Sequence, residues 1–350
     1  MTPFIIIFAV LMLGVALMVV SRLKSAQWMR APVAPGRLVL SGDGQWYVTV
    51  KGQGRFAIVI ESRLGGPSPE WWPIQSALAS RARVVTYDRA GYGWSGASAT
   101  PRTSAQIATE LHAVLHSANI LGPYILIGHS QGGLYVQHFT RLYPDEVAGC
   151  VFLDPVSPQN DRFAQELEAH VFRRSGVDKL PAIKLTELLC KLGVLPLLKP
   201  LLMKSPPFYY YKNLPRDVVE TLWRHHLRPE LYETAVAEYS QAFQAANIQQ
   251  LLERPFPSVP LIVVYHSAAI IIDEIVQYGG LSREEAQQVE SLWERLTRSY
   301  LELAAESRWV VAERSSHFIP LDQPDLVVAT ITEMLTALET QSSPVQEQRQ

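Results

Sequence analysis

Cysteine is scarce: the chain holds two, Cys150 and Cys190, in 350 residues. Two isolated thiols make neither a disulfide framework nor a zinc site, so cysteine usage leaves the compartment open. Charge is sparse too, at 18% of residues, and nearly balanced, with 31 basic against 33 acidic side chains. No basic stripe with interleaved aromatics occurs, which argues against a nucleic-acid partner. There is no internal repeat, so solenoids and propellers are set aside. Acidic residues are absent before Asp43, whereas Arg22, Lys24, Arg30 and Arg37 precede it.

Apolar residues make up 48% of the chain, enough for a sizeable buried core. Residues 4–20 carry no charge at all. As a helix this run would be about 25 Å long, sufficient for a bilayer core with snorkelling ends. A cleaved signal peptide competes, but no basic side chain precedes the run and no clean small-x-small site follows. The expectation is a transmembrane anchor over 1–24, a linker over 25–36, and a membrane as partner. The early basic residues then place the rest of the chain, single-pass and N-terminally anchored, on the cytoplasmic side.

Beyond the linker, two strand-like runs at 37–40 and 46–51 flank the turn-rich Ser41-Gly42-Asp43-Gly44 and predict an antiparallel hairpin. Strands and helices then alternate. Strands are expected at 56–60, 83–87, 124–127 and 151–154, with helices at 69–79, 103–117 and 131–142. Thr103 and Gln106 are spaced as a capping box. Such alternation argues for a mostly parallel sheet with helices on both faces. Residues 155–257 break the rhythm with helix-like segments and no convincing strand. A strand returns at 261–265, followed by a helix at 282–305, a strand at 309–312 and a helix within 324–338. Residues 340–350 are polar and read as a disordered tail.

Directly after Tyr124-Ile125-Leu126-Ile127 stands Gly128-His129-Ser130-Gln131-Gly132. A serine between two glycines at this spacing, after a strand and before a helix, is the sequence form of a nucleophile elbow. The turn is so tight that a Cβ two residues to either side would meet neighbouring backbone. The following helix aims its positive end at the serine.

Further motifs accompany it. They are Tyr87-Asp88-Arg89-Ala90-Gly91-Tyr92-Gly93-Trp94-Ser95, then Tyr143-Pro144-Asp145-Glu146-Val147 before an apolar strand, then Ser316-His317-Phe318-Ile319-Pro320 with Gln323-Pro324 behind it. With these in this order the chain resembles the α/β-hydrolases over residues 37–338. The resemblance implies an α/β fold with a mostly parallel eight-stranded sheet, a core over 37–156 and 258–339, and a helical lid over 157–257 inserted after strand 6.

It also implies a triad. Ser130 is the expected nucleophile and His317 the base, since a serine hydroxyl needs its proton removed to attack. The third member is open. The usual Gly-x-x-Asp after the seventh strand is replaced by His266-Ser267-Ala268-Ala269, so the acid position is vacant. Asp154, at the end of the sixth strand, is favoured; Asp273 and Glu274 are rivals from a longer loop. The acid holds the imidazole tautomer and stabilises its cation. Backbone N–H groups of Gln131 and Leu64 are the expected oxyanion donors. Arg63 stands where the resemblance implies glycine, and arginine would be strained there if φ must be positive.

The insert contains the apolar stretch 185–203 and then Phe208-Tyr209-Tyr210-Tyr211. These leucines serve either the insert's own packing or a lipophilic substrate. The expected chemistry is hydrolysis of a carboxylic ester or related acyl bond of a small-molecule substrate, without metal or organic cofactor. Epoxide and carbon–halogen hydrolysis rank low because they call for an aspartate nucleophile. The alternative is a member of the fold that binds a ligand or partner without catalysis.

Overall fold

The computed structural model describes residues 34–342 except Ser98. Eight strands form one sheet: β1 (Arg37–Ser41), β2 (Gly44–Lys51), β3 (Ala57–Glu61), β4 (Arg83–Tyr87), β5 (Tyr124–His129), β6 (Val147–Leu153), β7 (Leu261–Tyr265) and β8 (Ser307–Val311). Their order is β1-β2-β4-β3-β5-β6-β7-β8. The β1–β2 and β2–β4 pairings are antiparallel and the others parallel.

The central strands are buried on both sides, because their side chains alternate between two cores. Tyr124 and Leu126 of β5 join one core; Ile125 and Ile127 join the other. Helices α1 (Trp72–Leu78), α2 (Ser104–Ser117) and α3 (Gly132–Leu142) follow β3, β4 and β5 in turn. The first core is closed by Ala108, Leu111, Val114 and Leu115 of α2 with Val136 and Phe139 of α3. The second takes Ile74 and Leu78 of α1. Each such aliphatic side chain contributes about 1.5–3 kcal/mol when fully buried. Thr103 caps α2 by accepting from the Gln106 backbone N–H.

Between β6 and β7 the chain forms α4 (Arg162–Glu166), α5 (Ala169–Arg174), α6 (Leu180–Lys191), α7 (Leu195–Leu202), α8 (Arg216–His226), α9 (Pro229–Ala242) and α10 (Ala245–Leu252) and no strand. This helical lid has its own core, in which Cys190, Leu195, Phe208, Tyr211, Leu222 and Trp223 meet. Leu185, Leu188 and Leu201 remain exposed.

After β7 come α11 (Ala268–Glu274) and α12 (Arg283–Arg298), and after β8 come α13 (Ile319–Asp322) and α14 (Pro324–Ser342). α14 closes the second core through Val327, Ile331, Met334 and Leu335. The helix expected at 282–305 is shorter: α12 ends at Arg298 and a 3-10 turn, Ser299–Leu303, carries Tyr300 into the first core. The segment expected as a loop around Asp273 is helical.

One set of expectations is corrected. Among the described residues no helix is long and apolar enough to cross a membrane. The longest, α14, is broken up by Asp325, Glu333 and Glu339. The transmembrane anchor, the membrane as partner and the single-pass placement therefore find no support. The run at 4–20 on which they rested lies outside the described residues, as does most of the tail expected at 340–350.

Candidate active site

The parallel strands deliver their loops to one end of the sheet, where ligands bind in open α/β sheets. Ser130 follows β5, Asp154 follows β6, His317 follows β8 and the 62–66 loop follows β3.

Ser130 sits at φ 55°, in the left-handed region that an L-residue enters only under constraint. The constraint is visible. The Ser130 N–H donates to the Leu153 carbonyl at 3.1 Å, and its own carbonyl accepts from Gly133 at 3.0 Å and Val156 at 3.1 Å. The elbow glycines are steric necessities. A Cβ on Gly132 would lie 2.5 Å from the Glu61 carbonyl oxygen and 2.7 Å from that of Ser62, and one on Gly128 would lie 2.9 Å from the Gly133 Cα.

Ser130 Oγ lies 2.9 Å from His317 Nε2, and His317 Nδ1 lies 2.5 Å from Asp154 Oδ2. Asp154 is wholly buried and also left-handed, at φ 42°. Its N–H donates to the Val264 carbonyl at 2.7 Å, and the Trp293 indole N–H donates to its Oδ1 at 3.1 Å. Burial opposes ionisation of Asp154, but His266 and His317 outweigh it and hold the carboxyl well below the usual carboxylate range. Burial lowers the proton affinity of His317, only partly offset by Asp154, so the imidazole is neutral and able to accept a proton.

The two rival acids lie elsewhere. Asp273 is exposed on α11 and paired with Arg283. Glu274 accepts from the Tyr210 hydroxyl.

Both expected oxyanion donors are oriented by what holds the preceding carbonyl, because N–H and C=O point opposite ways in a trans peptide. The Ser130 carbonyl is taken by Gly133 and Val156, which turns the Gln131 N–H the other way. The Arg63 carbonyl is taken by Gly66 at 3.1 Å and by the Arg89 guanidinium at 2.9 Å, which does the same for Leu64. The strain expected at Arg63 does not arise: the left-handed residue of this loop is Gly65, at φ 67°, and Arg63 is not among the positive-φ residues. The Arg63 side chain is buried against Glu70, donates to Tyr211 Oη at 3.1 Å and lies over the Phe318 ring.

Further side chains brace the site, and their partners leave no signal in the local sequence. His129 donates from Nε2 to the His317 carbonyl at 2.9 Å, and burial keeps it neutral by lowering its pKa to about 3. Arg89 joins Glu61 at 2.5 Å and Glu238 of α9 at 2.9 Å, and also donates to the Ser62 carbonyl. Tyr92 donates to Glu238 as well, and Gln131 donates to Tyr135. Away from the site, His112 and His116 of α2 with Glu146 offer three donors close enough together to hold a metal ion.

The chain has relatives among known proteins. A family model described as the alpha/beta hydrolase family matches residues 64–330. The chain belongs to the alpha/beta hydrolase family. A Bacillus subtilis (strain 168) relative, YqjL, is 24% identical over 84% of this chain and 89% of its own length. Among solved structures, a thermophilic esterase from Thermogutta terrifontis is 18% identical with a TM-score of 0.54, covering 87% of this chain and 99% of the other. An enol-lactonase from Burkholderia xenovorans LB400 is 17% identical with a TM-score of 0.56, covering 86% and 100%. At these identities the two structures establish the alpha/beta hydrolase fold and leave the substrate open.

Proposed function

We propose that the protein is a serine hydrolase that cleaves a carboxylic ester or related acyl bond of a lipophilic substrate through an acyl-enzyme on Ser130. The observation that carries this reading is the unbroken hydrogen-bonded chain from Ser130 Oγ through His317 to Asp154. His317 Nε2 takes the hydroxyl proton as Oγ bonds to the acyl carbon. The negative charge gathered on the former carbonyl oxygen is met by the N–H groups of Gln131 and Leu64. His317 returns the proton to the leaving alkoxide. A water deprotonated by the same nitrogen then attacks the acyl carbon, and Ser130 regains its proton as the acid departs.

Apolar side chains support a lipophilic acyl group: Leu64 in the loop after β3 and Phe318, whose ring meets that of His317, pack against the lid core. The structural neighbours named as esterase and lactonase break bonds of this class, which is further support.

The test is labelling with a fluorophosphonate probe, with Ser130→Ala as control. Labelling that disappears in the variant supports an activated Ser130. Absence of labelling in folded wild-type protein would refute the reading in favour of a binding role.

A further inference from the structure

His266 stands where the family resemblance implies glycine, and the triad acid stands on a different strand from the one implied. The structure joins these two departures. From the end of β7 the His266 side chain reaches across to the end of β6, where Nδ1 lies 2.7 Å from Asp154 Oδ2. This is the same oxygen that accepts from His317. On its far side, His266 Nε2 lies 2.9 Å from Glu290 Oε1 of α12, an oxygen that also accepts from the Tyr265 hydroxyl. Side-chain exposure is 2% for His266, 0% for Asp154 and 5% for Glu290, so the group is dry. The Tyr265 ring stacks on His266 at 4.2 Å and fixes its plane.

We propose that His266 is a positioning residue, a buried imidazolium clamped between Asp154 and Glu290 that holds the triad carboxylate on His317 and restrains proton uptake by His317. This rests on the serine-hydrolase reading above. An imidazole facing a carboxylate oxygen from each nitrogen donates from both, and only the cation can do so. A neutral His266 would carry a proton on one nitrogen only and turn the lone pair of the other on a carboxyl oxygen within 2.9 Å in a buried pocket, which is costly.

The charged and titratable groups around His266 and His317 come from every packed element, among them Asp154 beyond β6, Glu290 on α12, Tyr265 on β7, His129 on β5, Glu274 on α11 and Lys179 before α6. Burial opposes the charge on His266, but Asp154 and Glu290 outweigh it and raise its pKa to about 10. Two consequences follow for His317. Its partner oxygen is shared with a second donor, and a fixed cation stands on the other side of that oxygen. Both make protonated His317 less favourable, so the base stays free to act at acid pH.

The first measurement is a long-range proton–nitrogen correlation spectrum of the full chain labelled with ¹⁵N-histidine, at pH 8 and without substrate. One ring protonated at both nitrogens, absent from His266→Gln, is expected; a His266 ring protonated at one nitrogen overturns the proposal. The second is the fluorophosphonate labelling rate against pH. The acid-side inflection lies below 6.5 in wild type and moves up by about one pH unit in His266→Gln, the size of a like-charge effect over a few ångströms. Glu290→Gln, which keeps a hydrogen-bond acceptor, moves it the same way by less. A uniformly reduced rate with an unmoved inflection in both variants would show that His266 only fills space. Failure of the serine-hydrolase reading is separable, since it leaves the spectrum intact and abolishes labelling.

Discussion

Replacing Gly132 by alanine tests whether the elbow and the 62–66 loop are mechanically one unit. The added methyl would sit 2.5 Å from the Glu61 carbonyl oxygen and 2.7 Å from the Ser62 carbonyl oxygen. A relaxed carbon–oxygen contact needs about 3.3 Å, so backbone must move by roughly 0.7 Å. Neither partner is a flexible side-chain tip. Both carbonyls belong to the segment leading to Leu64, and the Ser62 carbonyl is pinned by Arg89. Misplacement of catalytic groups on the ångström scale costs up to about 10²-fold in rate. Overpacking costs about 1–3 kcal/mol in stability, of which the better helix propensity of alanine returns up to about 1 kcal/mol. The variant should therefore fold, melt a few degrees lower and label with fluorophosphonate about 10²-fold more slowly. Gly128→Ala, whose nearest contact is 2.9 Å, should be milder. A Gly132→Ala protein labelled at the wild-type rate would refute the coupling of the two segments.

Asp154→Asn should cut the labelling rate by roughly 10³–10⁴-fold through loss of the correct imidazole tautomer, while Asp273→Asn, on a surface ion pair with Arg283, should stay within about twofold of wild type; the reverse ranking would move the acid to α11. Stability should fall as pH drops below about 6.5. Burial holds His129 and His225 neutral to about 3 and His138 to about 4, so between those values and about 6.5 the unfolded chain binds protons that the native chain refuses. Each contributes about 1.4 kcal/mol per pH unit in that window, and a urea midpoint unchanged from pH 7.5 to 5 would contradict it. His266 acts in the opposite sense: its contribution is full below about 6.5 and is lost as pH rises through about 10, seen as a falling midpoint on the alkaline side.

The parts of the site that could be read from the sequence are those set by local backbone chemistry. Gly128 and Gly132 announce a turn that excludes Cβ atoms, the run at 124–127 announces a buried strand, and Thr103 announces the start of α2. The sheet order was less accessible, because β3 lies between β4 and β5 and nothing local specifies that crossover. The helix at Ala268–Glu274 is hidden because the Gly-x-x-Asp pattern implies a loop at these positions, whereas the Ala-Ala-Ile-Ile-Ile run folds as helix. The resemblance implies a glycine at position 63, whereas the chain places its left-handed residue two positions later, at Gly65. The partners of Asp154 and Arg89 were invisible for a different reason. His266, Glu290 and Trp293 are more than a hundred residues from Asp154, and Glu238 is 149 residues from Arg89. Contacts at such separations are a property of the folded sheet and leave no periodic trace in the chain.

The attachment of the helical lid bears on how this protein can change. Glu238 of α9 meets Arg89 beneath the 62–66 loop, and Tyr211 meets Glu70 at 2.7 Å, Arg63 at 3.1 Å and His226 at 2.8 Å. Every one of these groups is buried. Swinging the lid away would part Glu238 from Arg89 and Tyr92, and Tyr211 from Glu70 and Arg63, while Arg89 keeps Glu61 and Arg63 keeps Glu70. A graft of a foreign insert that lacked Glu238 or Tyr211 would take one of two carboxylates from Arg89 or a hydroxyl acceptor from Arg63, the two arginines that brace the 62–66 loop. The lid and the loop beneath it are thus inherited together in this chain: a substitution at Glu238 or Tyr211 also alters the hydrogen bonds of Arg89 or Arg63, and the insert can be exchanged only along with the residues that anchor it.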